Sequence, residues 1–385
     1  MTQHNNQNQG FGSSQAYKSH NFSREDCAAN ARAMVDDYRS ALEFRQEHPD
    51  CPVDDVAGRY SSHVRWDREL KNNLRRGKGV VYSPDNVRAT HYRPFVKQHC
   101  YVDYVLVNNK YQMDRVFPSP DSENRAICVP GVGSRKPFGA LVVDAMPDLY
   151  LVEACQCFPR YRYERRDDRQ AELLNDGQGR ERIDNITDTA LRAFRVRYGD
   201  PTISKDAIFE YVYAILHAPG YRERFANDLA KALPRVPMAP EFHPFAEAGR
   251  RLAALHLGYE TCGEYPLVVE PATGAELRPE HYRIGERAMR FADDARTVLV
   301  VNDHVRLVGV PAEAHRYQVN GRTPLEWLID RYRIARDRES GIVNDPNRWF
   351  DDPRGLVAAL RRAVHLSVET VRVVESLPDP LDARH

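Results

Sequence analysis

Residues able to do chemistry concentrate between positions 127 and 163. The loop Gly131-Val132-Gly133-Ser134-Arg135-Lys136-Pro137 combines glycines, which let a ligand come close to the backbone, with two adjacent cations. Positive charge at Arg135 and Lys136 could meet a phosphate or a base edge. Further along, Gln156, Phe158, Tyr161 and Tyr163 stand among arginines, a mixture of amide, ring and guanidinium that suits contact with nucleic acid. A core sheet with an ordinary surface loop accounts for the same pattern. A second concentration runs from 59 to 115, where 12 Lys/Arg stand against 5 Asp/Glu and Tyr82, His91, Tyr92, Phe95 and Tyr101 are interleaved. Charge for phosphates beside flat rings for bases is what a nucleic-acid surface needs. Aromatic core residues covered by arginine stems would read the same way.

Several chemistries can be tested by spacing. The loop at 131–136 lacks the GxxxxGK[ST] spacing of a nucleotide-binding P-loop. No Pro-Pro dipeptide occurs, so the aromatic-ended loop with which a base methyltransferase holds a flipped base is missing. Asp148 followed by Glu153-Ala154-Cys155 is similar to the carboxylates of a restriction-type nuclease, but Cys155 stands where lysine would stabilise charge at a metal-bound phosphate. His91, His99, His243 and His256 show no HExxH or other metal spacing. Seven cysteines are scattered without paired CxxC spacing, and Cys155 and Cys157 form a C-x-C pair with no second pair to complete a zinc site. No catalytic constellation emerges, and neither metal nor cofactor is expected.

The elements that must carry these residues follow from periodicity and caps. Ser23 starts a helix with Glu25 and Asp26 in its first turn and Met34, Tyr38, Ala41 and Leu42 on one face. Residues 51–60 read as a connection and 66–74 as a second helix. Short apolar runs at 127–129, 140–143 and 149–152 predict strands. The polar stretch 164–182 reads as a flexible loop or linker. Thr187 caps a helix over 188–198, stopped by Gly199-Asp200-Pro201, and Ser204 caps the next. With a helix over 221–233 this makes a helical hairpin, whose mixed charge favours packing over DNA docking. A helix covers 245–257. Residues 297–301 and 305–310 predict a hairpin, continued at 317–319 by the Asn320-Gly321 turn. Thr323-Pro324-Leu325-Glu326 is a capping box, opening a helix to about Ile334. Leu356, Leu360, Val364, Val368, Val371 and Val374 stripe a final helix.

At 385 residues the chain can bury a sizeable core and is expected to form two parts. Formal net charge is zero, with 55 basic and 55 acidic residues, so any affinity for DNA must be local. Residues 1–20 are polar and expected to be a disordered leader. With no apolar run of membrane-spanning length, a cytoplasmic protein with reduced thiols and no membrane partner is expected.

Taken together, LKNNLRRGK (70–78), YRPF (92–95), ICVPGVGSRKPFGAL (127–141), PDLYL with QCFPRY, IFEYVYAILHAPGYRERFANDLAKALPRVP (208–237), VNGRTPLEWLIDRY (319–332) and SGIVNDPN (340–347) form a series of blocks in order. This series resembles the C-terminal target-recognition region of Type ISP restriction-modification enzymes, which follows their adenine methyltransferase domain. The resemblance implies a module that reads a double-stranded DNA site for a methyltransferase or helicase-nuclease partner polypeptide. It implies no catalysis by this chain, which could be a split specificity subunit, a truncated product or an excised domain. On that reading Arg75, Arg76, Lys78, Arg93 and Lys97 are candidates for phosphates. Arg135, Lys136 and Gln156 are candidates for base edges, since arginine pairs with guanine and glutamine with adenine. A fragment of a DNA-modifying enzyme and a purely structural protein are the alternatives. The expected fold is mixed α/β (α+β): a basic, aromatic-rich sheet region over 21–183, then a largely helical half with a β-hairpin over 184–381.

Overall fold

A computed structural model describes residues 20–107, 111–165, 180–285, 287–336 and 341–381. It is mixed α/β, with small antiparallel sheets packed among helices. The Ser23 hydroxyl accepts from the Asp26 amide and so caps α1 (Arg24–Glu47). The expected connection at 51–60 contains a short helix, α2 (Val53–Arg59), which starts after Pro52 and buries Val53, Val56 and Ala57. With α3 (Arg68–Arg75) these helices enclose a core in which Tyr38, Leu70 and Leu74 are buried and Trp66 stacks on Tyr38.

Strands β1 (His20–Asn21), β2 (Val87–Arg93) and β3 (Val96–Tyr101) form a sheet in the order β1-β3-β2, with an irregularity between His91 and Arg93. His20, assigned to the leader by composition, is buried and pairs with Cys100. The rest of the leader lies outside the described residues. Asn21 and Phe22 are tied to the far end of the chain, where the Phe22 amide donates to Asn344 Oδ1 at 2.9 Å.

After α4 (Met113–Val116) come β4 (Ala126–Val129), β5 (Leu141–Val143) and β6 (Gln156–Pro159), ordered β5-β4-β6. β4 is buried on both faces. Ala126 and Cys128 join one core cluster, Ile127 and Val129 the other. The run at 149–152 is not a strand. Leu151 and Val152 are buried, but Glu153 and Ala154 take φ values of 52° and 50° and turn the chain back, so the strand starts at Gln156. β7 (Tyr161–Arg165) and β8 (Arg180–Asp184) pair at either end of the stretch read as a linker, whose residues 166–179 lie outside the described residues.

In the second half, Thr187 caps α5 (Asp188–Tyr198), which ends on Gly199 at φ 63°. Ser204 caps α6 (Lys205–Ile215). The single helix expected over 221–233 is instead α7 (Pro219–Arg224) and α8 (Ala226–Leu229), interrupted at Phe225, where φ is −107°. α6 packs on α9 (His243–Leu257) so closely that a Cβ on Gly249 would lie 1.8 Å from the Glu210 carbonyl oxygen. Of α7 and α8, which carry the mixed charge, only Tyr221 is buried.

β9 (Val268–Pro271), β10 (Arg290–Phe291), β11 (Val298–Val300) and β12 (Val305–Val308) make a sheet ordered β10-β11-β12-β9 around the expected hairpin. Its turn is held by Asn302, whose Oδ1 accepts from the amides of His304 and Val305. Asn320 and Gly321 make a tight turn closed by a Val319–Arg322 bridge, and 317–319 adds no strand to the sheet. The Thr323–Glu326 capping box opens α10 (Pro324–Arg331). β13 (Ala335–Arg336) and β14 (Val343–Asn344) precede α11 (Gly355–Glu375), whose apolar stripe is buried from Leu356 to Val371. Both large core clusters combine residues from before and after position 183.

Candidate nucleic-acid interface

The β4–β5 connection is a built loop. Its Gly131 amide donates to the Glu153 carbonyl at 3.1 Å, and the Ser134 amide donates to the Gly131 carbonyl at 3.2 Å. The Glu153 side chain then reaches into it. Ser134 Oγ donates to Glu153 Oε2 at 2.5 Å, and the Lys136 amide donates to the same oxygen at 3.2 Å. Sequence suggested this concavity for a phosphate; the protein's own carboxylate fills it. Two details make the clamp specific. Glu153 sits in the left-handed region, and Gly131 must be glycine because a Cβ would lie 2.6 Å from the Ala154 carbonyl oxygen. With its inner side occupied, the loop turns Arg135 and Lys136 outward, exposed and ion-paired with no described residue.

The second exposed basic group lies at the C-terminal end of α3. Arg75, Arg76 and Lys78 are exposed there, and Arg75 Nη1 donates to Asn72 Oδ1 at 2.7 Å. The chain reverses at Gly77 (φ 64°) and is fixed by Tyr38, whose hydroxyl donates to the Lys78 carbonyl at 2.9 Å. Cations at a helix C-terminus are favoured by the helix dipole, so this cluster costs the fold little.

The other three candidates are enclosed. Arg93 Nη1 donates to Asp148 Oδ1 at 2.6 Å, with side-chain exposures of 13% and 2%, and the guanidinium stacks over Tyr92 at 4.1 Å. Lys97 bridges Glu260 at 3.1 Å and Asp144 at 3.7 Å. Asp144 also accepts from His91 Nε2 at 2.9 Å; burial pushes the His91 pKa down, so its neutral ring is the donor. Gln156 is only 7% exposed, at the register position opposite Val129. The structure thus divides the eight candidates into five exposed cations and three side chains already committed to the interior.

The nuclease-like carboxylates are not assembled into a site. Asp148 holds Arg93 and accepts from the Tyr150 amide, Glu153 clamps the loop, and Cys155 is buried in the core. Sequence reasoning missed both roles because no local spacing links 93 to 148, or 134 and 136 to 153. The consecutive left-handed residues at 153 and 154 are non-glycine and left no signal.

Comparison with known proteins yields a consistent picture. The family model described as the Type ISP C-terminal specificity domain matches residues 7–358. No curated protein matches. Among solved structures, a nuclease-deletion mutant of the Type ISP restriction-modification enzyme LlaGI in complex with a DNA substrate mimic is 28% identical, with a TM-score of 0.80 over 96% of this chain. The ATP-dependent Type ISP enzyme LlaBIII bound to DNA is also 28% identical, with a TM-score of 0.82 over 96%. A DrdV–DNA complex is 29% identical, with a TM-score of 0.80 over 96%. This chain spans 32%, 23% and 35% of those three chains respectively. No helix among the described residues is long and apolar enough to cross a membrane.

Proposed function

The chain belongs to the Type ISP C-terminal specificity domain family, and from that premise we propose that it is a sequence-specific recognition module for double-stranded DNA. It reads a target site and positions it for methyltransferase and nuclease activities carried elsewhere, on a partner or on a longer polypeptide. The observation that supports this best is the match of 96% of the chain to enzymes solved with DNA or a DNA mimic. On this reading the module does no catalysis of its own, because the carboxylates that could hold a metal are used to hold Arg93 and the 131–137 loop.

Among the candidate contacts, the exposed cations Arg75, Arg76, Lys78, Arg135 and Lys136 are the ones free to meet DNA. Arg135 and Lys136 stand on a loop held from within, so little ordering entropy is lost when they bind. Arg93, Lys97 and Gln156 act one step back, by shaping the surface. The test is duplex binding by fluorescence anisotropy across a salt series, with a randomised-site selection for preference. Binding that weakens steeply with salt and enriches one sequence supports the module. No binding at low salt, or DNA cleavage or methylation by the isolated chain, counts against it.

A further inference from the structure

Three cysteines from either side of the 131–137 loop in sequence meet in the core. Cys128 on β4 and Cys157 on β6 are register partners, and their sulfurs stand 3.5 Å apart. Cys155, just before β6, places its sulfur 3.6 Å from that of Cys157. All three sulfurs lie within 4.8 Å of one another, all three residues are completely buried, and none forms a disulfide. One buried cysteine is ordinarily a small hydrophobe. Three whose sulfurs converge on one point, placed there by strand register and by the left-handed turn at 153–154, form a preorganised ligand set.

The dimensions identify what it would take. Sulfurs at about 2.3 Å from a common ion are separated by roughly 3.8–4.0 Å, so shifts of less than about 1 Å convert this triangle into a coordination shell. No fourth histidine, cysteine or carboxylate joins the group among the described residues. Zinc fills four positions, with water as the usual fourth ligand in open sites, and this site is closed. Soft thiolates with no fourth donor suit copper(I), which is satisfied by three sulfurs.

We propose that Cys128, Cys155 and Cys157 form a three-sulfur site for a single soft, monovalent d10 metal ion of the copper(I) class. Each S–H replaced by a metal–sulfur bond releases its proton to solvent, and no electron is transferred. Cys128 precedes the loop by three residues and Cys155 follows its Glu153 clamp by two, so the bound ion would brace both ends of the loop.

Because the site is enclosed, the full chain is refolded anaerobically with copper(I) held by a competing chelator. The expected result is about one copper retained per chain after gel filtration, with three sulfur neighbours by X-ray absorption. Replacing a ligand in Cys155→Ser should weaken retention by at least about tenfold, while Cys262→Ser, outside the triad, retains the metal. Copper-dependent slowing of amide exchange across 131–137 would support the bracing role. A wild-type chain that keeps no copper overturns the proposal, as does copper without three sulfur neighbours, or zinc retained in preference to copper. If Cys155→Ser does not fold, the wild-type absorption spectrum alone decides.

Discussion

Replacing Arg93 by methionine keeps the side chain's stem and removes the guanidinium from Asp148. The carboxylate left behind has 2% side-chain exposure and, among the described residues, retains the Tyr150 amide at 2.9 Å as its one hydrogen-bond donor. Breaking a buried pair from one side leaves an uncompensated charge and costs about 3–5 kcal/mol. Asp148→Asn should cost less, roughly 1–3 kcal/mol, because its amide oxygen still accepts hydrogen bonds and Arg93 keeps its bond to the Tyr92 carbonyl. The double variant should then lie below the sum of the two singles by about 1–3 kcal/mol, the coupling expected of residues in contact. Urea midpoints for all four proteins measure this, with DNA binding across a salt series run in parallel. The reasoning fails if Arg93→Met leaves the midpoint unchanged while the salt slope falls by about 1, since that pattern belongs to a phosphate contact.

Lys136→Ala and Arg135→Ala should do the opposite, leaving stability within about 0.5 kcal/mol and reducing the salt slope by about 1 for each phosphate lost; anisotropy titrations and urea melts separate the two effects. Glu153→Ala should expose 131–137 to faster amide exchange and weaken DNA binding without removing any cation. Gly249→Ala should destabilise by about 1–3 kcal/mol or more, read from the urea midpoint, because α6 and α9 must part to admit the methyl group. His256 offers a pH test. Its Nδ1 accepts from the Tyr213 hydroxyl at 2.6 Å, its Nε2 donates to Thr370 Oγ1 at 2.9 Å, and burial with the nearby Arg222 charge lowers its pKa from 6.5 to about 3. The unfolded chain binds this proton below pH 6.5 and the folded chain does not until about pH 3. The contribution is therefore complete above pH 6.5 and lost across that window, on the order of 5 kcal/mol in total. Melting temperatures from pH 8 to pH 4 should fall below 6.5 in wild type and fall less steeply in His256→Gln.

Local signals and their failures separate cleanly along the chain. Thr187 with Gly199, Ser204, and Thr323 with Glu326 mark helix ends because a cap satisfies amides within three residues of itself. The stripe from Leu356 to Val371 is legible because a helix repeats every 3.6 residues whatever it packs on. Leu151 and Val152 were legible as core residues but not as a turn, since their burial is set by composition and their path by two left-handed neighbours. Arg75 and Arg135 look no different in sequence from Arg93. Exposure distinguishes them, and exposure depends on whether a carboxylate 55 residues away arrives at the same place.

The sequence by itself determined that the chain is a mixed α/β member of the specificity family, where its capped and apolar-striped helices lie, and that its basic residues cluster in two regions. Those are properties of short segments and of block order, carried by local periodicity and capping. Only the tertiary structure decided that Glu153 closes the glycine loop, that Asp148 takes Arg93 out of solvent, and that Cys128 joins Cys155 and Cys157. Each depends on strand register and a backbone turn that bring together groups with no fixed spacing. In the β4–β6 pair a shift of one residue would send Cys128 or Cys157 to the opposite face and part their sulfurs.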